Sequence, residues 1–485
     1  MTSIADIRLQ LWILGTIRAT EAIAWSSIFP YAYYMIQSFG EVSDNDIPFW
    51  AATLVATFTF CEFLSGMIWS RISDRIGRKP TLLIGVLCSM VAALTFGMSR
   101  SIALAVASRC IGGLCNPNVG LVPTCTGELA TKGQQPKAFS LVVFIRSLGS
   151  LVGPVVGGLL ADPVKLYPAA FPSDSLWATY RYLLPNLVIV LLQLVTIILA
   201  FFFLQETHPE YAGRFDPGLK ISRSFKHYLR GKPADFEHIE YAPETGSSPR
   251  ETDRLLDSPA SEDSDQFAPI KVPNKAFSMQ VILQILAVSL MAFHKVSSDT
   301  VMGTFLALEE SDNSSFPKAT GGFGFNTQKI GMIFLTEAIF RVTIQATLIP
   351  FVISRLGALR TFRWVLGLYP AMYLLTPFLP ALPLRPWMQI AVLLPDLWTK
   401  VALSSIGYVC SSILITNTAP SRSFLANING AAASFGCLAR AVGPLLTGKL
   451  VSLGLTAGHL EIPFWALGAV AFLGAAESMF LADHP

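Results

Sequence analysis

Charged residues occur inside long apolar stretches of this sequence, and several of them are paired at helical spacing. Three pairs lie three or four residues apart: Arg18 with Glu21, Glu337 with Arg341, and Asp396 with Lys400. Side chains at these spacings are neighbours on a helix, so the two opposite charges of each pair can form an ion pair. A charge at mid-bilayer costs at least about 2.5 kcal/mol and needs a partner or a water-filled cavity. Charges kept in apolar surroundings are suited to binding protons or charged ligands, so these pairs are our first candidates.

We interpret six other charges in the apolar stretches as unpaired: the bases Arg109, Arg146 and Arg440, and the acids Glu62, Asp299 and Glu477. We expect acids on other helices to pair with the three arginines, because an unpartnered charge in lipid is costly. Asp396 is expected near the outer rim of its helix, with Lys400 one turn deeper.

The rest of the chain is apolar. Of its 485 residues, 52 % are hydrophobic and only 14 % are charged, against about 25 % charged residues in soluble domains. We therefore predict an all-α membrane protein. The net charge of +3 is too small to indicate a nucleic-acid partner. The seven cysteines lie in apolar runs without ligand-like spacing to histidine, which predicts neither a disulfide framework nor a metal site.

Twelve apolar stretches can each supply the roughly 20 residues of a transmembrane helix. We number them as spans 1 to 12: 10–37, 49–69, 80–98, 101–125, 138–161, 180–204, 276–308, 327–352, 361–380, 386–416, 423–450 and 462–482. The division predicts a six-helix bundle over 1–204, a largely disordered cytoplasmic linker over 205–275, and a second six-helix bundle over 276–485.

Lysine and arginine are concentrated in the short segments on the same side as the N-terminus, which predicts cytoplasmic N- and C-termini. The sequon at Asn313 then falls in an outer loop and is a candidate glycosylation site. The plasma membrane and the vacuolar membrane both remain open.

Two features recur at nearly equal offsets. The segment 74–78 after span 2 has a weaker copy at 354–358, and Gly153-Pro154 in span 5 returns as Gly443-Pro444 in span 11. Internal repetition of this kind is typical of secondary transporters. It predicts two related six-helix halves.

Three passages resemble the major facilitator superfamily. The first is the loop over 70–79, which matches the signature between helices two and three except that Ser70 replaces the usual glycine; the second is Arg109 with Gly113 in span 4. The third is 149–158, which matches the helix-five motif of antiporters. The chain is most similar to the twelve-helix drug:proton antiporter group, in its zinc-induced-facilitator-like and fungal branch. The resemblance implies twelve transmembrane helices in two pseudo-symmetric six-helix bundles, and a monomeric transporter without a cofactor rather than an enzyme.

The signature loop contributes Asp74, Arg75, Gly77, Arg78 and Lys79. We expect Asp74 to accept hydrogen bonds from the N-terminus of a neighbouring helix, so that the loop locks one conformation. Alternatively, the basic residues only set the topology.

The helix-five motif contributes Gly149, Gly153, Pro154, Gly157 and Gly158. Three of the glycines share a helix face by their spacing of four, which allows another helix to approach closely, and Pro154 permits a kink. The antiporter resemblance implies that this contact seals the pore against proton leak.

Spans 1, 4, 7 and 10 line the central cavity in the fold that the resemblance implies. Glu21 is then the best candidate proton carrier, with Arg109 competing with the proton for its carboxylate. The alternatives are a static ion pair with Arg18 and a substrate contact. His294 is either a second protonation site or a packing residue.

Aromatic faces and amides in such a cavity suit an amphipathic organic molecule or cation. The substrate candidates are Trp25, Asn116, Asn118, Asp299, Lys400 and Asn427. Glu337 and Arg341 favour a structural or gating role. We predict a proton-coupled antiporter that exports a drug, metabolite or metal chelator. A proton symporter or uniporter that imports a nutrient is the alternative, and a non-transporting receptor is a third possibility.

Overall fold

The computed structural model describes residues 4–130, 135–208, 210–211, 215–222, 278–310, 321–418 and 422–482. Asn313 and most of the linker predicted at 205–275 lie outside these residues. Within the described part of the chain the regular structure is helical, apart from one isolated bridge between Glu310 and Gly322.

Six spans precede the linker. Their helices are Ile4–Ser26 with Ala32–Phe39 (span 1), Ile47–Ile76 (span 2), Arg78–Gly97 (span 3), Ile102–Leu114 with Asn118–Leu129 (span 4), Gln135–Leu160 (span 5) and Leu183–Phe203 (span 6). Two helical turns, Pro163–Leu166 and Leu176–Thr179, lie between spans 5 and 6.

Six spans follow the linker. Their helices are Met279–Ala307 (span 7), Thr327–Ala346 with Leu348–Leu356 (span 8), Ala358–Leu375 (span 9), Pro386–Thr418 (span 10), Arg422–Ala457 (span 11) and Glu461–Ser478 (span 12). The two helices of span 8 meet at a bend of 47°. Among the described residues, seven helices are by themselves long and apolar enough to cross a membrane, or eight if this bent pair counts as one span. The twelve helical segments predicted from the sequence are confirmed.

Spans 1 and 4 are each interrupted by a short break between two helices. In span 4 the helix stops at Leu114 and restarts at Asn118, because Pro117 has no backbone N–H to continue the ladder. The side-chain oxygen of Asn116 accepts a hydrogen bond from the Asn118 backbone N–H at 3.2 Å. The break therefore leaves the amide nitrogen of Asn116 free to reach span 2.

The two halves pack together at the end of the bundle that carries the turn at 40–46, which the sequence predicts to be the outer end. Span 5 meets span 8 at Gly158 and Gly331, and span 11 meets span 2 at Gly448 and Ala52. The Tyr34 hydroxyl donates a hydrogen bond to the Phe325 carbonyl of the other half. The outer end is closed.

An apolar cluster from both halves fills this closed end. It includes Met35 and Leu54 from the first half and Phe305, Phe334 and Phe464 from the second, all nearly inaccessible to solvent. Burial of that much aromatic and aliphatic surface is the main force holding the outer end shut.

The opposite end carries the 70–79 loop, and we call it the inner end. Towards this end, side chains of spans 2 and 11 are uncovered. Met67 of span 2 is 72 % exposed and Phe435 of span 11 is 57 % exposed. The two halves are therefore in contact at the outer end, whereas these side chains of spans 2 and 11 are uncovered nearer the inner end.

The two halves repeat the same helix contact. A Cβ on Gly153 of span 5 would lie 2.8 Å from the Ile23 carbonyl of span 1, and one on Gly443 of span 11 would lie 2.8 Å from the Phe293 carbonyl of span 7. Only glycine lets backbones approach this closely. The repeat seen in the sequence thus corresponds to two related bundles.

Candidate functional site

The first half contains a cavity between spans 1, 2, 3, 4 and 6. Four of the residues singled out from the sequence line it together: Glu21, Trp25, Arg109 and Asn116. Tyr31, Phe58 and Asn186 complete its polar and aromatic wall. An acid, a base, aromatic faces and amides therefore meet in one place.

Glu21 is held by Arg18 of the same helix. The Arg18 Nη1 atom donates to both carboxylate oxygens at 2.8 Å, and the two side chains are 13 % and 16 % exposed. This pair is short, involves both carboxylate oxygens, and lies at the cavity wall, because Glu21 is one of the lining residues. It fixes the Glu21 carboxylate in place while leaving 16 % of the side chain exposed.

Arg109 has a different environment from the one expected. Its Nε donates to the Leu54 carbonyl at 3.0 Å, and its guanidinium lies 4.5 Å from the Phe58 ring centroid, with Trp25 and Phe96 within 6 Å. The Nη2 atom is buried and has no hydrogen-bond partner. The prediction of an ion pair with an acid on another helix is wrong for Arg109, because ring faces and a carbonyl stabilise the cation instead.

Glu62 is not the lone acid that the sequence suggested. Its carboxylate accepts a hydrogen bond from the Asn116 Nδ2 at 2.7 Å and lies 3.9 Å from the Arg440 Nη2 of the other half. Arg440 therefore does receive an acid from another helix. Arg146 of span 5 lies within electrostatic range of Glu21 and Glu62.

A second cavity lies in the other half, between spans 7, 8, 9 and 10. Its polar lining is Lys295, Ser298, Asp299, Glu337, Tyr373 and Lys400. Asp299 is paired with Lys295 one turn away, so the interpretation of Asp299 as unpaired is wrong: the spacing of four was present in the sequence but overlooked. The substrate candidates Asp299 and Lys400 thus share one cavity.

Two further ion pairs of this half also form within single helices. Asp396 lies 2.8 Å from Lys400 and accepts a hydrogen bond from Thr376 at 3.1 Å. Asp396 is buried rather than at the rim, because these two donors draw it inward. Glu337 and Arg341 form a looser pair at 3.6 Å.

Two other candidates, His294 and Asn118, are not among the lining residues of either cavity. The His294 Nδ1 is 3.0 Å from the Tyr373 hydroxyl, and its ring packs edge-on against Tyr369. Asn118 is buried at the start of the second helix of span 4. The side chain of Asn427 lies outside the described residues.

The loop at the inner end forms its own charge network. Asp74 pairs with Arg78 at 2.6 Å, and Arg78 also reaches Glu128 at 3.2 Å. Lys79 pairs with Asp216 at 2.6 Å, just beyond the last span of the first half. Arg75 is exposed.

The carboxylate at the helix N-terminus in this network is not Asp74. Glu206 accepts hydrogen bonds from the backbone N–H groups of Arg78 at 2.8 Å and Lys79 at 3.1 Å. Gly77 has a φ of 103°, and a Cβ there would overlap the Glu206 carboxylate. The expectation for Asp74 is therefore wrong in the described structure: the tight turn at Gly77 aims the start of span 3 at Glu206 instead.

The glycines of span 5 lie against two other spans. Gly149, Gly153 and Gly157 face span 1, where a Cβ would overlap main-chain or side-chain atoms of Ala19, Ser26 and Ser27. Gly158 faces Gly331 of span 8. Pro154 is inside the helix, and its carbonyl lies next to Gly331.

The sequence model of the Major Facilitator Superfamily matches residues 14–444. The chain belongs to this superfamily. It is accordingly a multi-pass membrane transporter that binds small-molecule substrates, and not an enzyme.

Curated relatives extend over nearly the whole chain. A major facilitator superfamily multidrug transporter, mfsB of Aspergillus fumigatus, is 37 % identical over 504 residues, covering 98 % of this chain and 83 % of the relative. The Zinc Induced Facilitator 1 protein of Arabidopsis thaliana is 24 % identical over 477 residues, covering 96 % of this chain and 90 % of the relative. The predicted likeness to the fungal and zinc-induced-facilitator-like branch is confirmed.

Solved structures share the fold. The xylose transporter XylE of E. coli, in a partially occluded inward-open conformation, has a TM-score of 0.64 at 14 % identity, covering 99 % of this chain and 98 % of that one. The human organic anion transporter MFSD10 has a TM-score of 0.59 at 18 % identity, covering 97 % and 99 %.

Two contacts within this major facilitator protein were not predicted from the sequence. One is the contact of Glu62 with Arg440, and the other is the capping of span 3 by Glu206. The sequence did indicate the first contact, because Glu62 and Arg440 each lie in an apolar span without a partner at helical spacing. It did not indicate the second, because Glu206 comes near span 3 only through the packing of span 6.

Replacing Glu206 with alanine is expected to lower the free energy of unfolding by about 1–2 kcal/mol, because two N–H groups at a helix start lose their acceptor. The measurement is the melting temperature of the detergent-solubilised protein. Glu210→Ala, which removes a nearby exposed carboxylate, is the control. Equal melting temperatures for the two variants would contradict the capping role.

Proposed function

We propose that this transporter is a proton-coupled antiporter that exports a small organic molecule such as a drug, a metabolite or a metal chelator. The observation that carries the proposal is the meeting of Glu21, Arg18 and Arg109 at one cavity of the first half. The 37 % identity to a multidrug transporter supports an organic substrate.

Glu21 is the proposed proton carrier. While Arg18 bridges both of its oxygens, the charge of the carboxylate has a partner within hydrogen-bond distance. A proton on Glu21 removes the charge that holds Arg18, so the guanidinium must turn to another acid or to water. Protonation therefore changes how the charges of the cavity are paired, which is what coupling to a conformational change requires.

Arg109 is proposed to favour proton release. Its Nη2 is buried without a partner, so it is free to interact with a carboxylate that comes within reach when the bundle rearranges. A cation held by ring faces in a buried site acts strongly on nearby acids, because the local dielectric constant is low. His294 is proposed as a second protonation site. Its Nδ1 becomes available to a proton when the Tyr373 hydroxyl moves to another hydrogen-bond partner.

The second cavity is the proposed site of the substrate's polar groups, together with Trp25, Asn116, Asn118 and Asn427. Lys295 and Lys400 each have an acid partner one turn away, so a substrate charge can be accommodated by exchanging partners. The Phe334 and Tyr373 rings in its wall suit an amphipathic molecule.

The span 5 glycines and the inner-end loop are proposed to control access. The close contacts of Gly149, Gly153 and Gly157 with span 1 leave no room for water, which supports a seal against proton leak. The ion pair of Asp74 with Arg78 is proposed to hold the inner end in one of its states.

We further propose that the chain works as a monomer with both termini and the 205–275 linker in the cytoplasm, between bundles 1–204 and 276–485. Asn313 would then be glycosylated on the outer side. The plasma membrane and the vacuolar membrane both fit, since either maintains a proton gradient that can drive export.

The test uses purified protein in vesicles with an imposed pH gradient and a panel of organic cations, organic anions and chelated metals. Wild-type protein is expected to move protons only when a transported compound is present. Glu21→Gln is expected to abolish this substrate-dependent proton movement while keeping substrate exchange without a gradient.

Asp44→Asn, in the exposed turn at the outer end, is the matched control and should behave as wild type. Proton movement in the Glu21→Gln variant equal to wild type would reject Glu21 as the carrier. The absence of substrate-dependent proton movement in wild type, with measurable substrate flux, would reject antiport itself.

A further inference from the structure

Glu62 lies on the boundary between the two halves. Its side chain is buried, it belongs to span 2 of the first half, and its cationic partner Arg440 belongs to span 11 of the second. The same boundary carries a hydrogen bond from the Thr59 hydroxyl to the Arg440 carbonyl at 3.3 Å. Glu62 and Thr59, which lie on one turn of span 2, thus both contact Arg440: Glu62 faces its guanidinium and Thr59 binds its carbonyl.

The contact is looser than the other ion pair of this region. Arg440 approaches Glu62 at 3.9 Å, whereas Arg18 binds both oxygens of Glu21 at 2.8 Å. The Arg440 Nε is buried and without a partner, while its Nη2 also donates to the Cys437 sulfur at 2.8 Å. In a rigid ion pair, the Nε and Nη2 atoms of Arg440 would both donate to the Glu62 carboxylate.

The charged and titratable groups that face Glu62 come from four spans. They are Arg18 and Glu21 of span 1, Arg109 of span 4, Arg146 of span 5, and Arg440 with the Cys437 thiol of span 11. Those within the first half stay with Glu62 if that half moves as one body. Arg440 and Cys437 are the members of this set that would leave with the other half.

Resting on the proposed antiport, we propose that Glu62 is a second proton-binding carboxylate, and that Arg440 is the group that displaces its proton when the outer end closes. The Asn116 amide keeps the Glu62 carboxylate in position in both states, since it belongs to the same half. Arg440 acts from outside that half, as a partner that is present only in the closed arrangement.

The proton balance follows from the contacts. When spans 2 and 11 separate, Arg440 withdraws and the Glu62 carboxylate takes one proton from the outer side. When they come together, the guanidinium returns, the proton leaves the carboxyl group to the cavity open at the inner end, and the ion pair reforms. One inward proton per cycle is thereby tied to the opening and closing of the outer end, in addition to the proton on Glu21.

The decisive experiment counts protons per substrate molecule in vesicles, using a transported compound from the panel above. Glu62→Gln is expected to lower the count by one, and Arg440→Gln is expected to do the same because the proton is no longer displaced. Glu477→Gln is the matched control: its buried carboxylate oxygens have no hydrogen-bond partner, it lies in span 12, and the count should stay at the wild-type value.

Carboxyl labelling of the wild-type protein provides a second measurement that needs no variant of Glu62. A hydrophobic carbodiimide reacts with protonated buried carboxyl groups, and mass spectrometry locates the adduct. Labelling of Glu62 is expected at low pH and to fall as pH rises, with the fall moved to higher pH in Arg440→Gln. Glu477 should label identically in wild type and Arg440→Gln.

An unchanged proton count in Glu62→Gln would overturn the inference while leaving the proposed antiport intact. Labelling of Glu62 that is independent of Arg440 would overturn it as well. If wild-type protein moves substrate but no protons, the proposed function fails first, and the inference falls with it.

Discussion

Leucine in place of Gly157 is expected to stop substrate transport and to lower the melting temperature of the solubilised protein. A Cβ at this position would overlap the Ser27 carbonyl oxygen and lie 2.8 Å from its carbon. Those atoms are main chain and stand where the first helix of span 1 ends, so no side-chain rotation can make room. Overpacking costs about 1–3 kcal/mol where side chains yield, and the upper end is expected here.

About 3 kcal/mol corresponds to a loss of more than a hundredfold in the population of the packed state. The measurements are uptake into vesicles at matched protein content and a thermal-shift curve. Gly367→Leu in span 9 is the control, because a Cβ there has no atom within 4 Å. Near-normal transport by Gly157→Leu, or an equal loss in both variants, would show that the contact between spans 1 and 5 is not needed.

Most of the fold could be predicted from the sequence because a bilayer imposes a simple rule. Each crossing needs about 20 apolar residues with internally satisfied backbone groups, and each of the twelve predicted stretches contains at least one helix. The internal repeat also predicted a structural equivalence, since Gly153 and Gly443 make equivalent helix contacts in the two halves. The breaks near Pro30 and Pro117 were not predicted, although proline marks both.

Charge pairs within one helix could be predicted, whereas pairs between helices could not. Arg18 with Glu21 follows from spacing alone. The link from Glu62 to Arg440 depends on how spans 2 and 11 pack, which spacing along the chain does not encode. The burial of Asp396 similarly depends on Thr376, which comes from the turn after span 9.

Arg109 shows why the remaining site could not be predicted from residue types. Charge balance suggested an acid partner, but the guanidinium donates to one carbonyl and lies against three aromatic rings, and its Nη2 has no hydrogen-bond partner. The environment of Arg109 depends on the planar shape of the guanidinium as well as on its charge. A guanidinium can donate hydrogen bonds from its edge while its face packs against a ring.

Replacing Arg109 with glutamine is therefore expected to reduce proton-coupled transport about thirtyfold, and Arg109→Lys by a smaller factor. Glutamine loses both the charge and the ring contacts, which are worth about 2 kcal/mol in a desolvated site. Lysine keeps the charge within range of Glu62 and Tyr31 but cannot hold the Leu54 carbonyl and cover Phe58 at once. Substrate-dependent proton movement in vesicles measures both.

The order of the two variants separates the possible roles of Arg109. If Arg109 supplied charge alone, Arg109→Lys would transport as well as wild type. If it only filled space between the rings, lysine and glutamine would be equally impaired. Arg100→Gln, at an exposed position between spans 3 and 4, removes one positive charge without touching the cavity and should retain full transport. A graded loss, with lysine between wild type and glutamine, is the outcome that requires both the charge and the planar contact with the rings.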